Sequence, residues 1–320
     1  MEGILNYKTP AIGSSDTSAG AVNLCRDLSL INRKNHEHTT RKGVPLVYHT
    51  KVTVYRTNST DTDELQMLKF RTVPKNWVYR NAAVKLHAAR EAMMKKNGIT
   101  KKERGRYDHT IRYGWEGTDT SDGADGWLDP VDFDKTAYSS AKLGSWDTTE
   151  LIISNGNEIR PVLWTNSGDM LEDTHVAASG QRALALMYLQ SRQLIRADDQ
   201  DTTDVEGDGA ENEFPAEFSV IKDLFNVYPE SADEVRESVD TSQDNPPYDL
   251  DDISLSASFV EPIEAARSMC GLQSIVKDVL YIDVPFGIMD VHGVLNQAPS
   301  STTRTINFQV EVLGVSEMQG

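Results

Sequence analysis

The 320 residues carry 49 Asp+Glu against 32 Lys+Arg, a formal net charge of −17, with 38% of positions hydrophobic and only two cysteines. No apolar run approaches the ~18 residues of a membrane-spanning helix, and no basic segment leading into an apolar core opens the chain, so neither a span nor a signal peptide is expected. Cys25 and Cys270 fit no metal spacing and no disulfide framework, which makes a reducing compartment the expectation.

The length admits one large β domain or two smaller ones. The total charge conceals a split. Residues 1–109 hold 20 Lys+Arg against 10 Asp+Glu, a balance of +10, and the other 211 residues carry 12 against 39, a balance of −27. Such a split fits either chance clustering on solvated loops or a molecule whose two sides meet different surroundings.

Residues 1–43 are rich in Gly, Ser, Thr and Asn and read as an N-terminal arm, with one helix candidate in AVNLCRDLSLI at 21–31. The arm ends in four cations, Arg33, Lys34, Arg41 and Lys42, around His36 and His38. VPLVYHTKVTVYR at 44–56 is the first strong strand and LQMLKFRTV at 65–73 the second, two candidates for neighbours in one sheet. Asn58-Ser59-Thr60 between them fits a glycosylation sequon but reads as a polar turn.

The best helix follows. Asn76 is a cap, Gly98 suits the left-handed position beyond the end, and Val78, Ala82, Leu86, Ala89 and Met93 form an apolar stripe, with Lys95 and Lys96 where the helix dipole favours cations. RYDHTIRYGW at 106–115 is a weaker strand candidate. Asn155-Gly156, flanked by TTELIIS and EIRPVLWT, signals a hairpin, because this dipeptide tolerates the positive φ angles of a tight turn. Residues 181–195 fit helix or strand equally; 252–260 and 275–284 read as strands. In TINFQVEVLGVSEMQG, Ile306, Phe308, Val310 and Val312 alternate with polar residues, so a half-buried strand ends the chain, with a bulge expected at Gly314.

Three acidic stretches, 117–134, 198–213 and 229–252, read as exposed surface loops, too poor in apolar residues to pack. Roughly eight to ten strand-like runs and one inserted helix make an all-β sandwich with long connections the economical fold.

The chemistry search yields little. His36 and His38 do not complete H-E-x-x-H, because Thr39 and Thr40 follow, and both histidines are expected in solvent. No phosphate-binding glycine loop, nucleophile elbow or dinucleotide fingerprint is present, and no catalytic residue, enzyme activity or cofactor is expected. Calcium stays open at Asp119, Asp122, Asp125 and Asp129, around Gly123 and Gly126, although the spacing of a helix-loop-helix calcium loop is not met. Besides the four arm cations, Lys101, Lys102, Arg104 and Arg106 form a second basic group able to hold phosphates without reading sequence.

The stretch from Val279 to Met318 resembles the closing strands of jelly-roll capsid proteins of small icosahedral viruses, including those of tailless bacterial or archaeal viruses. Val284, Pro285, Phe286 and Gly287 match the kink, and Ile306 to Val315 match the last strand. The resemblance implies a jelly-roll β-sandwich over residues 44–320, a single roll being favoured over two rolls at 44–168 and 181–320. It implies a structural subunit of a virion, made in the host cytoplasm, that assembles with its own copies and other virion proteins into an icosahedral shell. The eight cations then face the interior, toward viral nucleic acid or an internal membrane. The arm is less basic than those of coat proteins that condense a genome directly. The alternative is a cellular β-sandwich binding or adhesion module, with Trp115, Trp127, Trp146 and Trp164 stacking on sugars.

Overall fold

The structure is a computed structural model that describes residues 3–15, 17–55, 65–99, 103, 110–115, 126–132, 146–152, 158–164, 181–188, 261–270, 277–296 and 303–319. Among them are strands β1 (Gly3–Lys8), β2 (Thr17–Asn23), β3 (Leu46–Tyr55), β4 (Leu65–Thr72), β5 (Pro130–Val131), β6 (Leu151–Ile152), β7 (Glu158–Val162) and β8 (Gln181–Ala183). The last four are β9 (Ile263–Cys270), β10 (Lys277–Pro285), β11 (Ile288–Asn296) and β12 (Asn307–Glu317). With them are the helices α1 (Leu24–Asn32) and α2 (Trp77–Lys96).

The long strands form two antiparallel sheets. Sheet I has the order β10-β3-β12-β1-β5 and sheet II the order β2-β11-β4-β9. The pairing is nested: β1 with β12, β2 with β11, β3 with β10 and β4 with β9, all antiparallel. The chain thus forms one long double-stranded ribbon, which then folds back on itself so that β12 also pairs with β3 and β11 with β4.

The alternation in β12 dictates its place. Phe308, Val310 and Val312 are buried between the sheets while Asn307, Gln309 and Glu311 point outward. They join Leu5 and Tyr7 of β1, Val52 and Val54 of β3, Leu68 and Phe70 of β4, and Met289, Val291 and Leu295 of β11 in one core. The bulge expected at the end of β12 is present, because the register against β3 steps from Val312 to Gly314 and skips Leu313.

A second core caps one end of the sandwich. α2 starts where Asn76 accepts a hydrogen bond from the Tyr79 amide, and ends before Gly98 at φ +73°. Its stripe of Val78, Tyr79, Ala82, Ala83, Leu86 and Ala89 packs with Tyr113, Trp115, Trp164, Phe286 and Ile288. The hairpin expected at Asn155-Gly156 is flanked by β6 and β7, paired antiparallel, and β8 joins β7 in parallel. Residues 184–188, ambiguous from periodicity, are helical.

Several expectations are corrected. Residues 3–32 are no arm: β1 lies between β12 and β5, and α1 packs beneath β1, because Leu5, Tyr7, Val22, Leu24 and Leu28 supply apolar surface that the Gly/Ser/Thr background masks. β3 and β4 are not neighbours but sit in opposite sheets. A division into rolls at 44–168 and 181–320 cuts both sheets, since each combines strands from both sides of that break. The acidic stretch 117–134 is not wholly surface, for Trp127, Leu128 and Val131 are buried and β5 pairs with β1. The stretches 198–213, 229–252 and 252–260 and the Asn58 sequon lie outside the described residues.

Candidate functional site

The cations foreseen as interior-facing divide by position. Arg33 closes α1 in the left-handed conformation at φ 54°, and Arg33, Lys34, Arg41 and Lys42 are all exposed. The turn carrying the last two packs on α2: a Cβ on Gly43 meets the His87 side chain at 2.5 Å, so that contact needs glycine. Lys101, Lys102, Arg104 and Arg106 lie outside the described residues.

The histidines between those cations are buried, against expectation. His38 is 1% exposed, and its Nδ1–H donates to the Phe286 carbonyl at 2.6 Å. Burial lowers its pKa to about 4, so the ring is neutral. It stands edge-on to Tyr113 and Trp146. The residue it holds is itself strained. Phe286 has φ 56°, a region L-residues rarely adopt, and it makes the corner by which the chain leaves β10 in sheet I for β11 in sheet II. The Phe286 amide donates to Leu46 O at 2.7 Å, and Gly287 O accepts from the Leu24 amide at 2.8 Å. The Val284–Gly287 kink is therefore real, but a strand follows it rather than a loop.

Of the calcium candidates only Asp129 is described, and its carboxylate is engaged. Arg26 Nη2 donates to Asp129 Oδ1 at 2.8 Å, while Arg26 Nε donates to Asp27 Oδ1 at 2.7 Å. Tyr7 Oη donates to the other Asp27 oxygen at 2.6 Å. Asp27 is fully buried, and burial raises its pKa to about 6 against the pull of Arg26. This network ties α1 to β1 and to the segment before β5, a structural task that explains why Asp129 faces a cation. Among the described residues no group of three or more His, Cys, Asp or Glu is placed to hold a metal.

A polar row unforeseen in the sequence crosses the outer face of sheet I. Ser316 on β12, His49 on β3 and Asp283 on β10 sit on three adjacent strands. His49 Nδ1 lies 2.7 Å from Asp283 Oδ1, and His49 Nε2 lies 2.8 Å from Ser316 Oγ. Lys75 Nζ donates to Asp283 Oδ2 at 2.6 Å. Asp283 is held below the usual carboxylate range, first by the Lys75 hydrogen bond and then by that of His49. A groove of about 410 Å³ meets the row at His49 and Asp283, which line it with Lys75, Ile263, Tyr281 and Leu313 among others, while Ser316 lies across His49 from Asp283 and outside that lining.

The register explains the meeting: His49 is directly opposite Asp283, and the bulge at Leu313 brings Ser316 to the far side of His49. Separations of 234 and 267 residues leave no local motif to read. Comparison with family models, with curated proteins and with solved structures gives no match.

Proposed function

We propose that this chain is a jelly-roll structural subunit that assembles with copies of itself into the icosahedral shell of a virion. The observation that carries the reading is the nested pairing of β1 with β12, β2 with β11, β3 with β10 and β4 with β9, wrapped into a five-stranded and a four-stranded sheet. That plan supports the jelly-roll reading, an architecture shared by viral capsid and lectin domains. Fold alone does not choose between them, so the choice rests on side chains.

The lectin-like alternative asks for aromatic rings offered to solvent. Trp115, Trp127 and Trp164 are buried, and Trp146 stands between the His38 edge and the Arg112 guanidinium, 4.6 Å from its ring centroid. The shell reading asks for a rigid slab and a charge split. The exposed cations Arg33, Lys34, Arg41 and Lys42 are those we assign to the interior, facing genome or membrane, and other virion proteins are the further partners.

Negative-stain microscopy and sedimentation velocity of the purified chain test this. Closed shells or uniform ring-shaped oligomers are the expected result. A monodisperse monomer at every concentration and salt tried overturns the proposal.

A further inference from the structure

We propose that Ser316 is an activated nucleophile, that His49 is its base, that Asp283 orients the base, and that the adjoining groove takes a small uncharged carboxylic ester. The geometry is that of a nucleophile, base and orienting carboxylate in one hydrogen-bonded line, recognised by roles and distances rather than by sequence position. The inference is independent of the shell reading.

Asp283 stays ionised because Lys75 and His49 both donate to it. An ionised acceptor at 2.7 Å keeps the imidazole proton on Nδ1, which leaves the Nε2 lone pair to accept the Ser316 hydroxyl at 2.8 Å. Lys75 closes the line from the far side, so the carboxylate cannot swing away from the ring without losing a second bond.

The chemistry balances without any group the chain lacks. Ser316 Oγ forms a bond to the ester carbonyl carbon while its proton passes to His49 Nε2. The acyl C–O bond then breaks and the departing alkoxide takes that proton, leaving an acyl-serine. Water attacks the acyl carbon, gives one proton to His49, and the acid leaves as Ser316 regains a proton from the imidazole. Past Val312, β12 pairs with β3 alone among the described residues. Main-chain N–H groups on its other side are the donors that an oxyanion beside Ser316 calls for.

The groove sets the substrate class. Its volume of about 410 Å³ suits a small molecule. Its lining mixes Ile263, Tyr281 and Leu313 with the Thr72 hydroxyl, and its one ammonium, Lys75, is already paired with Asp283. An uncharged ester fits such a lining better than an anion.

The test uses the full chain and a fluorophosphonate probe, with the labelled residue located by peptide mass spectrometry. Ser316 should be labelled ahead of the other serines, Ser316→Ala should remove that label, and His49→Gln should slow labelling by on the order of 100-fold. His49 and Asp283 are both 42% exposed at the side chain, so the variants should fold, and circular dichroism checks that they do. Should a variant misfold, the position of the label on the wild-type chain decides. Absence of label at Ser316, or a drop of less than tenfold in a folded His49→Gln variant, overturns the proposal.

Discussion

Phe308 is where the sandwich is most exposed to a single deletion of mass. The ring is 1% exposed, stacks on Tyr7 at 5.2 Å and 19°, and meets the Phe70 edge at 5.6 Å, so it touches its own sheet and the opposite one together. Phe308→Ala removes the transfer free energy of the ring and leaves a cavity between two sheets that cannot close on it, a loss of about 3–5 kcal/mol. Against a total of about 5–15 kcal/mol for a folded domain, that is a large fraction. With a urea slope near ~3 kcal/mol/M, the midpoint should fall by about 1–1.7 M.

Phe308→Leu keeps most of the volume but loses both ring contacts, and should cost about 1–2 kcal/mol. Gln309, on the outer face between Asn6 and Tyr55, is the control, and its replacement by Ala should cost about 0.5 kcal/mol or less. Equilibrium urea unfolding followed by tryptophan fluorescence and circular dichroism reads all three. A Phe308→Ala loss under about 1 kcal/mol with the slope unchanged would refute the placement of β12 between the sheets.

Deleting residues 1–8 should give insoluble protein, because β1 fills the place beside β12 in sheet I; a soluble, cooperatively unfolding fragment argues against that pairing. Gly293→Ala should destabilise by about 1–3 kcal/mol, since its Cβ would lie 2.2 Å from Ile12 Cδ1, whereas Gly314→Ala meets nothing within 4 Å and should change the urea midpoint little. The two buried titrations act in opposite senses. The Asp27 pKa is raised to about 6, so its contribution is present at low pH and lost as pH rises through about 6; the His38 pKa is lowered to about 4, so its contribution is present above about 6.5 and lost as pH falls through about 4. Asp27→Asn should therefore show a steeper acid loss than the wild type between pH 4 and 6.5, and His38→Asn a shallower one; midpoints that track the wild type across that window refute the assignments.

Legibility followed the locality of the signal. β12 and α2 were readable because Phe308, Val310 and Val312 alternate, and because Asn76, the stripe from Val78 to Ala89 and Gly98 all fall within one short window. β9 was not. IEAARSMC has no clean alternation of apolar and polar residues, and Ile263 and Met269 are about half exposed on this edge strand, so its place comes from pairing with β4 rather than from a pattern of its own. His36 and His38 looked solvated because their neighbours Arg33, Lys34, Arg41 and Lys42 are, yet both side chains are buried, and His38 holds the Phe286 corner. The row of Ser316, His49 and Asp283 exists only through strand register, which no window of sequence contains.

The nested ribbon has a consequence in time. Asn6 bonds to Gln309 across 303 residues, so β1, short of its two-residue pairing with β5, has no long partner until β12 has been made. At about 5–20 residues per second, β1 waits on the order of 15–60 s. The pairs of highest sequence separation are the slowest to close, and of the four nested pairs the inner three, β4 with β9, β3 with β10 and β2 with β11, have both strands made before β12. Sheet I therefore stays unfinished until β12 is free of the ribosome. Self-association through any surface that depends on sheet I is held back until then, a delay that guards nascent chains from joining one another before that sheet has closed.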